Sequence, residues 1–228
     1  MTHKRHGQQP AISIIIPAFE ETGLQNIAAT FADEGGVELV FALAPDDRIS
    51  KPPMGAKVAH APKGRASQMN AGAWASSGQI LLFLHADTRI PPESLALVRH
   101  TLARPNVAAG AYSLRVEGAG IWYKFISTGA NLRSRWLGMP FGDQAIFMTR
   151  DVFHQIGGYE PIPILEDVRI VEAAARYGKI AVLPAQASTS ARRWETRGRY
   201  ATWLRHWGIM IAYKLGVAPQ TLARWFAR

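Results

Sequence analysis

Uninterrupted apolar runs alternate with amphipathic segments along the first hundred residues of the chain. Apolar stretches without polar alternation are typical of strands that are buried on both faces of a parallel sheet. The strands predicted in this way cover residues 11–17, 37–43, 57–60 and 79–84. Helical patterns follow three of them, over residues 22–31, 67–76 and 92–104. Because strand and helix alternate through short loops, the pattern predicts an α/β fold with a parallel, doubly wound sheet.

The second half of the sequence is less regular. Its predicted strands and helices cover residues 108–116, 145–149, 151–156, 166–177, 180–183 and 200–217. The aromatic segment 118–137 shows only a weak pattern, so no element is assigned to it. Thr22 and Asp151 are the predicted N-caps of their helices, and Gly78 is predicted to end the helix before it. One domain is the simplest organisation, with a disordered lead-in at 1–10, the fold at 11–188 and a basic helical tail at 189–228 packed on the domain.

Composition narrows the classes of protein that the chain can belong to. Of its 228 residues, 48% are hydrophobic and 19% are charged, which is typical of a globular protein. The sequence contains no cysteine, which excludes disulfides, thiolate metal sites and cysteine nucleophiles. Residues 1–10 lack the apolar core of a signal peptide, and no apolar run is long enough to span a membrane. We therefore expect a cytoplasmic protein.

The net charge of +9 is concentrated at the C-terminal end. Residues 11–188 are neutral overall, whereas residues 189–228 contain eight Lys and Arg residues and a single acid, Glu195. Such a tail favours an anionic partner, which would be a phosphate, an acidic lipid surface or a nucleic acid. No nucleic-acid-binding module is recognisable, so no nucleic acid is expected. Tryptophans beside these cations suggest peripheral contact with the inner face of a membrane.

Candidate chemistry lies where the predicted strands end, because ligands bind beyond the carboxyl ends of strands in such sheets. His85 and Asp87 follow the fourth strand, and the Asp87 carboxylate could hold a divalent cation or merely turn the chain. Lys63 and Arg65 follow the third strand and suit phosphate oxygens, although a solvated basic turn is the plainer alternative. Glu166 or Asp167 could be a general base, or the pair could simply stabilise a helix N-terminus. Further polar candidates for contacts with a sugar or a phosphate are Gln68, Asn70, Asp143, Gln144, Arg192, Arg193 and Trp194.

Together these motifs resemble glycosyltransferase family 2. Residues 13–21 (SIIIPAFEE) are similar to the family's first strand and its signature, and residues 63–91 are similar to its third loop, helix and metal-site strand. Gly157-Gly158-Tyr159 followed by Glu166-Asp167 resembles its acceptor-side motif. The form His85-Ala86-Asp87 and the ending Arg192-Arg193-Trp194 resemble a bacterial branch known as radical-SAM/selenodomain-associated transferase 2. The resemblance implies a GT-A type fold with a mostly parallel sheet flanked by helices.

The resemblance also implies a reaction and the roles of several residues. The reaction would be inverting transfer of a sugar from a nucleotide-sugar donor to an acceptor hydroxyl, and lipid-linked acceptors are common in the family. Mn²⁺ or Mg²⁺ would be bound by Asp87, with His85 standing where the family usually has another aspartate. Asp167 would be the base, supported by Glu166. Pro17, Phe19, Glu20 and Asp46 would line the nucleotide pocket.

Two other functions fit parts of the pattern. The histidine at position 85 and the altered second loop would suit a degenerate protein of the same fold that binds a nucleotide sugar or a protein partner without turnover. A sugar nucleotidyltransferase shares the parallel-sheet plan, but residues 17–22 lack the glycine-rich loop that such an enzyme carries after its first strand.

Overall fold

The computed structural model describes residues 11–191 and 198–226. Within these ranges the strands are β1 (Ile12–Ala18), β2 (Val37–Leu43), β3 (Lys57–His60), β4 (Ile80–Phe83), β5 (Thr88–Arg89), β6 (Val107–Glu117), β7 (Phe147–Thr149) and β8 (Lys179–Ser190). The α-helices of the described part are α1 (Leu24–Thr30), α2 (Arg65–Ala75), α3 (Leu95–Leu102), α4 (Ile121–Leu137), α5 (Arg150–Gln155), α6 (Glu166–Ala174), α7 (Arg199–Lys214) and α8 (Pro219–Phe226). Short 3₁₀ turns cover Pro92–Ser94 and Gly142–Gln144.

All eight strands form one sheet in the order β3-β2-β1-β4-β7-β6-β8-β5. The first four strands are parallel, with Ile12 opposite both Val37 and Ile80. Strand β7 runs antiparallel to both of its neighbours, whereas β6 and β8 are parallel to each other, and β5 closes the far edge in antiparallel pairing. The predicted α/β fold is confirmed, and its doubly wound parallel part is the β3-β2-β1-β4 half.

The sheet is buried on both faces, which explains the unbroken apolar runs of β1 and β4. On one face, Ile14 and Ile16 join Leu24 of α1 and Leu95 of α3 in one core cluster. On the opposite face, Ile15 packs with residues of α2, α5 and α6 in a second cluster. Because β1 to β4 pair in parallel, their carboxyl ends lie at one edge of the sheet.

Helix α4 lies on the edge of β6 that β7 leaves unpaired. Its Asn131 side chain accepts from the Leu114 N–H (2.6 Å) and donates to the Leu114 carbonyl (3.0 Å). The hydroxyl of Ser127 accepts from the N–H of Val116 at 3.0 Å. Side chains of α4 therefore occupy the hydrogen-bonding positions that a neighbouring strand would fill.

Several local predictions are wrong. Helix α1 begins after Gly23 rather than at Thr22, with no side-chain cap. Thr149, not Asp151, caps α5, since its hydroxyl accepts from the N–H of Val152. Helix α2 ends at Ser76, whose backbone is extended, so Gly78 is not its terminating glycine. The segment 118–137, for which no element was predicted, forms the long helix α4.

The C-terminal part begins differently from the prediction. Strand β8 continues through Thr189 and Ser190, two residues into the predicted tail. Helix α7 then contacts α4, with the rings of Trp122 and Tyr200 4.7 Å apart, and α6, where the Tyr213 hydroxyl donates to Glu172 at 2.6 Å. Within the described ranges, none of the helices combines the length and apolar character needed to cross a bilayer.

Candidate functional site at the carboxyl edge of the sheet

The loop after β1 is held by the loop after β2. Glu20 has a left-handed backbone (φ 58°), and its N–H donates to the Asp47 carboxylate at 3.2 Å. The same carboxylate accepts from the N–H groups of Ile49 and Ser50 at 3.0 and 2.9 Å. Partial burial by itself would raise the pKa of Asp47, but these hydrogen bonds outweigh it and lower the pKa below its ordinary value. The acid that contacts the β1 loop is therefore Asp47, while the predicted Asp46 is exposed beside it.

Two residues predicted to bind the nucleotide lie against each other. The Lys63 ammonium stands 3.5 Å from the centre of the Phe19 ring, which is a cation–π contact. Pro17 is buried within β1, so the loop that follows this strand presents Phe19 and Glu20 rather than the proline. The structure thus joins the loops that follow β1 and β3.

The amide of Gln68 has a structural role instead of the predicted role in ligand binding. Its nitrogen donates to the carbonyls of Ala18 (2.7 Å) and Ala42 (2.8 Å), and its oxygen accepts from the Gly64 N–H at 3.4 Å. The side chain is only 3% exposed. Gln68 therefore ties the ends of β1 and β2 to the start of α2.

Asn70 is also engaged with the backbone. Its amide nitrogen donates to the Tyr159 carbonyl and its oxygen accepts from the Tyr159 N–H, each at 2.8 Å. This reciprocal pair fixes the Gly157-Gly158-Tyr159 turn against α2. Burial raises the pKa of the Tyr159 phenol well above its ordinary value, and the charges of Asp167 and Glu166 add to the increase. The turn consequently lies next to the two acids.

Asp167 meets the segment before β7 at the same edge. Its Oδ2 accepts from the Gly142 N–H at 2.7 Å, and its Oδ1 accepts from the Val168 N–H at 2.8 Å. A Cβ atom at Gly142 would lie 2.9 Å from two ring atoms of His85 and 3.3 Å from Oδ2 of Asp167. Only a glycine lets the imidazole and the carboxylate approach the same peptide this closely.

Glu166 is buried beside Asp167, with 5% exposure. One of its oxygens lies 3.5 Å from the Arg65 guanidinium, whose side chain is about half exposed. Burial, together with the negative charge of Asp167, raises the pKa of Glu166 to about 7, and Arg65 opposes both effects. Helix α6 begins after Leu165, which has a left-handed backbone (φ 66°), so both acids are positioned by a conformation that non-glycine residues rarely adopt.

Sequence reasoning missed Arg133 of α4. Its guanidinium lies 3.5 Å from the centre of the Phe141 ring and donates to the Met139 carbonyl at 2.9 Å. Burial lowers the pKa of Arg133, against the opposing charges of Asp143 and Asp167. The side chain therefore supports the segment that carries Gly142. A polar stripe at residues 127, 131 and 134, at helical spacing, was the available signal for α4.

Gln144 also supports the segment that carries Gly142, and its side chain is not on a surface that a ligand could reach. It is fully buried, its oxygen accepts from the Ser134 hydroxyl at 2.8 Å, and its nitrogen donates to the Tyr112 carbonyl at 2.9 Å. Asp143 is half-buried and close enough to Arg133 to influence its charge. The predicted Arg192, Arg193 and Trp194 lie outside the described residues.

The side chains after β4 suit a divalent cation that is shared with a ligand. Asp87 is exposed, and the Thr88 hydroxyl lies 3.4 Å from its Oδ1. Among the described residues, no three His, Asp or Glu side chains gather closely enough to enclose an ion. One exposed carboxylate, two residues along the chain from a histidine, fits an ion that takes its other ligands from phosphate oxygens and water, as Mg²⁺ commonly does.

Comparison with known proteins places the fold. No protein-family model matches the sequence, and no curated protein matches it significantly. Among solved structures, the chain is similar to the mannosyltransferase PcManGT from Pyrobaculum calidifontis, in complex with GDP-Man and Mn²⁺ (TM-score 0.63, 16% identity, 93% of this chain and 66% of that chain). It is also similar to S. aureus TarS 1-349 in complex with UDP-GlcNAc (TM-score 0.59, 14% identity, 78% and 58%).

A third similar structure is GalNAc-T7 with UDP, GalNAc and Mn²⁺ (TM-score 0.58, 15% identity, 81% of this chain and 44% of that chain). The chain spans just under two thirds of PcManGT and a smaller part of the other two. Sequence identities this low show that the fold is shared and nothing further. The mixed eight-stranded sheet with flanking helices is thus the GT-A type fold of these glycosyltransferases.

Proposed function

We propose that the chain is an inverting glycosyltransferase of family 2 that moves a sugar from a nucleotide-sugar donor to an acceptor hydroxyl with the help of a divalent cation. The observation that carries this proposal is the Asp167 carboxylate, which is fixed by the Gly142 N–H at 2.7 Å beside His85. This carboxylate stands at the edge of the sheet where ligands bind in such folds. The likeness to three glycosyltransferase structures supports it.

Asp167 is the general base in this proposal. Two N–H groups orient its carboxylate, and each oxygen retains a lone pair that can accept a proton from a hydroxyl. As the proton moves to Asp167, the acceptor oxygen bonds to the anomeric carbon and the bond from that carbon to the diphosphate oxygen breaks. The nucleoside diphosphate leaves, and the configuration of the sugar is inverted because attack and departure occur on opposite faces.

Cations from α2 and its preceding loop serve the donor. Glu166 lies 3.5 Å from the Arg65 guanidinium at the start of α2, and the Arg65 side chain remains about half exposed. Lys63 rests on Phe19 in the neighbouring loop. Both cations can donate hydrogen bonds to phosphate oxygens of a nucleotide diphosphate, and a guanidinium does so in two-pronged geometry. Glu166 then acts as a positioning residue and Asp167 as the base.

Asp87, with His85 beside it, would hold Mn²⁺ or Mg²⁺ together with the donor diphosphate. When bound, such an ion neutralises charge on the departing diphosphate.

The base is tested by Asp167→Asn. An asparagine side chain at this position would keep the size of the aspartate but could not accept a proton, so nucleoside diphosphate release should fall by about 10²–10⁴-fold. The measurement is release of nucleoside diphosphate from a panel of nucleotide sugars with Mn²⁺. Donor affinity, measured by calorimetry, should stay within a few-fold of that of the wild-type protein. Asp151→Asn, in the first turn of α5, is the matched control and should leave the rate unchanged.

Two outcomes would contradict the proposal in different ways. Undiminished release by the Asp167→Asn variant would show that this carboxylate is not the base. Donor binding by the wild-type protein without turnover, across a broad panel of acceptors, would favour the non-catalytic binding function instead.

The cation is tested by Asp87→Ala and by chelation. Release of nucleoside diphosphate should drop by at least about tenfold in the variant, because a carboxylate that would bind the cation is lost. Excess chelator should abolish release by the wild-type protein, because it removes the cation itself. Added Mn²⁺ should restore the chelated wild type. Turnover that is insensitive to chelator would remove the cation from the reaction.

A further inference from the structure

Large apolar side chains are exposed mainly on one part of this molecule. Sixteen such side chains are exposed among the described residues, and eleven of them lie on α4 or between Tyr200 and Trp225. A monomeric protein rarely concentrates its exposed apolar side chains in this way unless the surface binds something. The concentration therefore indicates a docking surface on the C-terminal helices.

The large apolar side chains that are exposed on α7 and at its C-cap form one stripe. Their positions are spaced by 4, 3, 4 and 4 residues, which places them on a single face of a helix. They are Tyr200 (65% exposed), Leu204 (62%), Trp207 (51%), Ile211 (55%) and Leu215 (80%). The opposite side of α7 is used internally, since Thr202 is buried and Tyr213 donates to Glu172 of α6.

Helix α4 extends this stripe. Ile121 and Phe125 are 84% and 57% exposed, one helical turn apart. Trp122 connects the two helices, with ring centroids 5.8 Å from Phe125 and 4.7 Å from Tyr200. We call the combined surface the α4–α7 face; it consists of Ile121, Phe125, Tyr200, Leu204, Trp207 and Ile211.

Positive charge surrounds the α4–α7 face. Lys124 is exposed on α4 between its two apolar residues, and Arg224 is exposed on α8. Lys214 is also exposed, but its ammonium pairs with the Glu172 carboxylate at 2.9 Å. Residues 189–228 carry a net charge of +7 within a chain whose total is +9. Two copies of the face would bring like charges together, so self-association is opposed. An apolar stripe with cations at its margins complements an anionic bilayer surface, in which acyl chains lie beneath negative headgroups.

We propose that the α4–α7 face docks this protein on the surface of an anionic lipid bilayer. Helices α4 and α7 lie in the plane of the interface, with Trp207, Ile211 and their neighbours among the upper acyl segments. Lys124 and Arg224 lie at the level of the headgroups. The inference rests on exposure and charge, and it is independent of the reaction at the carboxyl edge.

The test is flotation of the full chain with vesicles of phosphatidylcholine, with or without added phosphatidylglycerol. The wild-type protein should float with the anionic vesicles and remain unbound with the zwitterionic ones. Raising the salt concentration should weaken the binding, since exposed charges are screened. Failure to float with anionic vesicles at low salt would overturn the proposal.

Paired variants locate the surface. Leu204→Glu with Ile211→Glu should reduce vesicle affinity by about tenfold or more, because two apolar contacts are lost and two repelling charges are gained. The matched control is Leu97→Glu with Ile49→Glu, since those side chains are 40% and 47% exposed elsewhere on the molecule. The control should float like the wild type, and equal binding by both double variants would overturn the assignment.

A milder variant and a second measurement keep the test decisive. If circular dichroism shows that the double variant unfolds, Ile211→Gln is expected to reduce flotation by several-fold without loss of structure. Sedimentation velocity without lipid should show a monomer. A wild-type oligomer that these variants dissociate would identify the face as a contact between copies of the chain and would overturn the proposal.

Discussion

Replacing Glu166 by glutamine is expected to remove a pH dependence of stability that runs opposite to that of most carboxylates. Because burial and the neighbouring charge of Asp167 raise the pKa of Glu166 from 4.5 to about 7, the folded protein binds an extra proton between these two values. Stability therefore falls as pH rises through this window and is greatest below the unfolded value. The difference of about 2.5 units corresponds to about 3 kcal/mol, and the side chain is only 7% exposed, so solvent screens little of it.

The assay is urea denaturation of the wild-type protein and the Glu166→Gln variant at several pH values from 5 to 8. The free energy of unfolding of the wild type should decline by about 2–3 kcal/mol relative to the variant across this range. Glu172→Gln is the matched control. Burial by itself would raise the pKa of Glu172, but hydrogen bonds from Tyr213 and Lys214 outweigh it and lower the pKa. Glu172 is therefore ionised above pH 5 in both the folded and the unfolded protein.

Parallel curves for the wild type and the Glu166→Gln variant would refute the reasoning. They would mean that Glu166 is ionised in the folded protein throughout, with Arg65 outweighing both burial and the charge of Asp167. The expected result is that the free energy of unfolding declines with pH in the wild type and in the Glu172→Gln variant, but not in the Glu166→Gln variant.

Two further substitutions test the packing that shapes the carboxyl edge. A methyl group at Gly72 of α2 would meet a β1 isoleucine carbon at 2.5 Å, so Gly72→Ala should destabilise the protein by about 1–3 kcal/mol in thermal or urea unfolding. A methyl group at Gly129 of α4 would meet nothing within 4 Å, so Gly129→Ala should instead stabilise the protein by roughly 0.5–1 kcal/mol. A change of the same sign in both variants would contradict the packing described for these two glycines. Gln68→Leu removes the side-chain donor to the carbonyls of Ala18 and Ala42 and should cost about 2–4 kcal/mol of unfolding free energy. An unchanged urea midpoint would show that water replaces the amide.

Two strands were predicted with correct bounds. Strands β2 and β3 lie at the predicted residues; each is short, and a proline two residues after its end marks where the strand stops. Helix α4 escaped detection because large apolar side chains lie on both of its sides: Tyr123 and Ile126 are buried, while Phe125 and Trp136 are exposed. Apolar residues on both sides of a helix blur the single apolar stripe by which an amphipathic helix is detected.

Strand β8 was predicted too short for a different reason. Pro184 interrupts its apolar run, and proline within a strand ordinarily argues against continued pairing. In the structure, the register against β6 shifts between Val182 and Gln186, so the proline lies in a bulge and pairing resumes beyond it. A bulge depends on the neighbouring strand, which no local pattern reports.

The candidate site residues were taken from the strand ends and from the segments that follow them, and the sequence did not reveal what each side chain would contact. The amides of Gln68, Asn70 and Gln144, which were predicted to contact a ligand, satisfy backbone groups or other side chains. Whether a polar residue at a strand end faces a ligand or the chain itself depends on which backbone groups the loops leave unpaired. Arg133 is distant in sequence from the acids it influences, so only the fold brings them together.

The side chains that α4 places along β6 also have a consequence for how the protein behaves at high concentration. An open strand edge is a template on which another molecule can add its own strand, and this is a common route to aggregation. Asn131 occupies both backbone groups of Leu114, and Ser127 occupies the N–H of Val116, so this stretch offers no complete ladder to a neighbour. The helix that completes the fold on this side therefore also guards the molecule against intermolecular strand exchange.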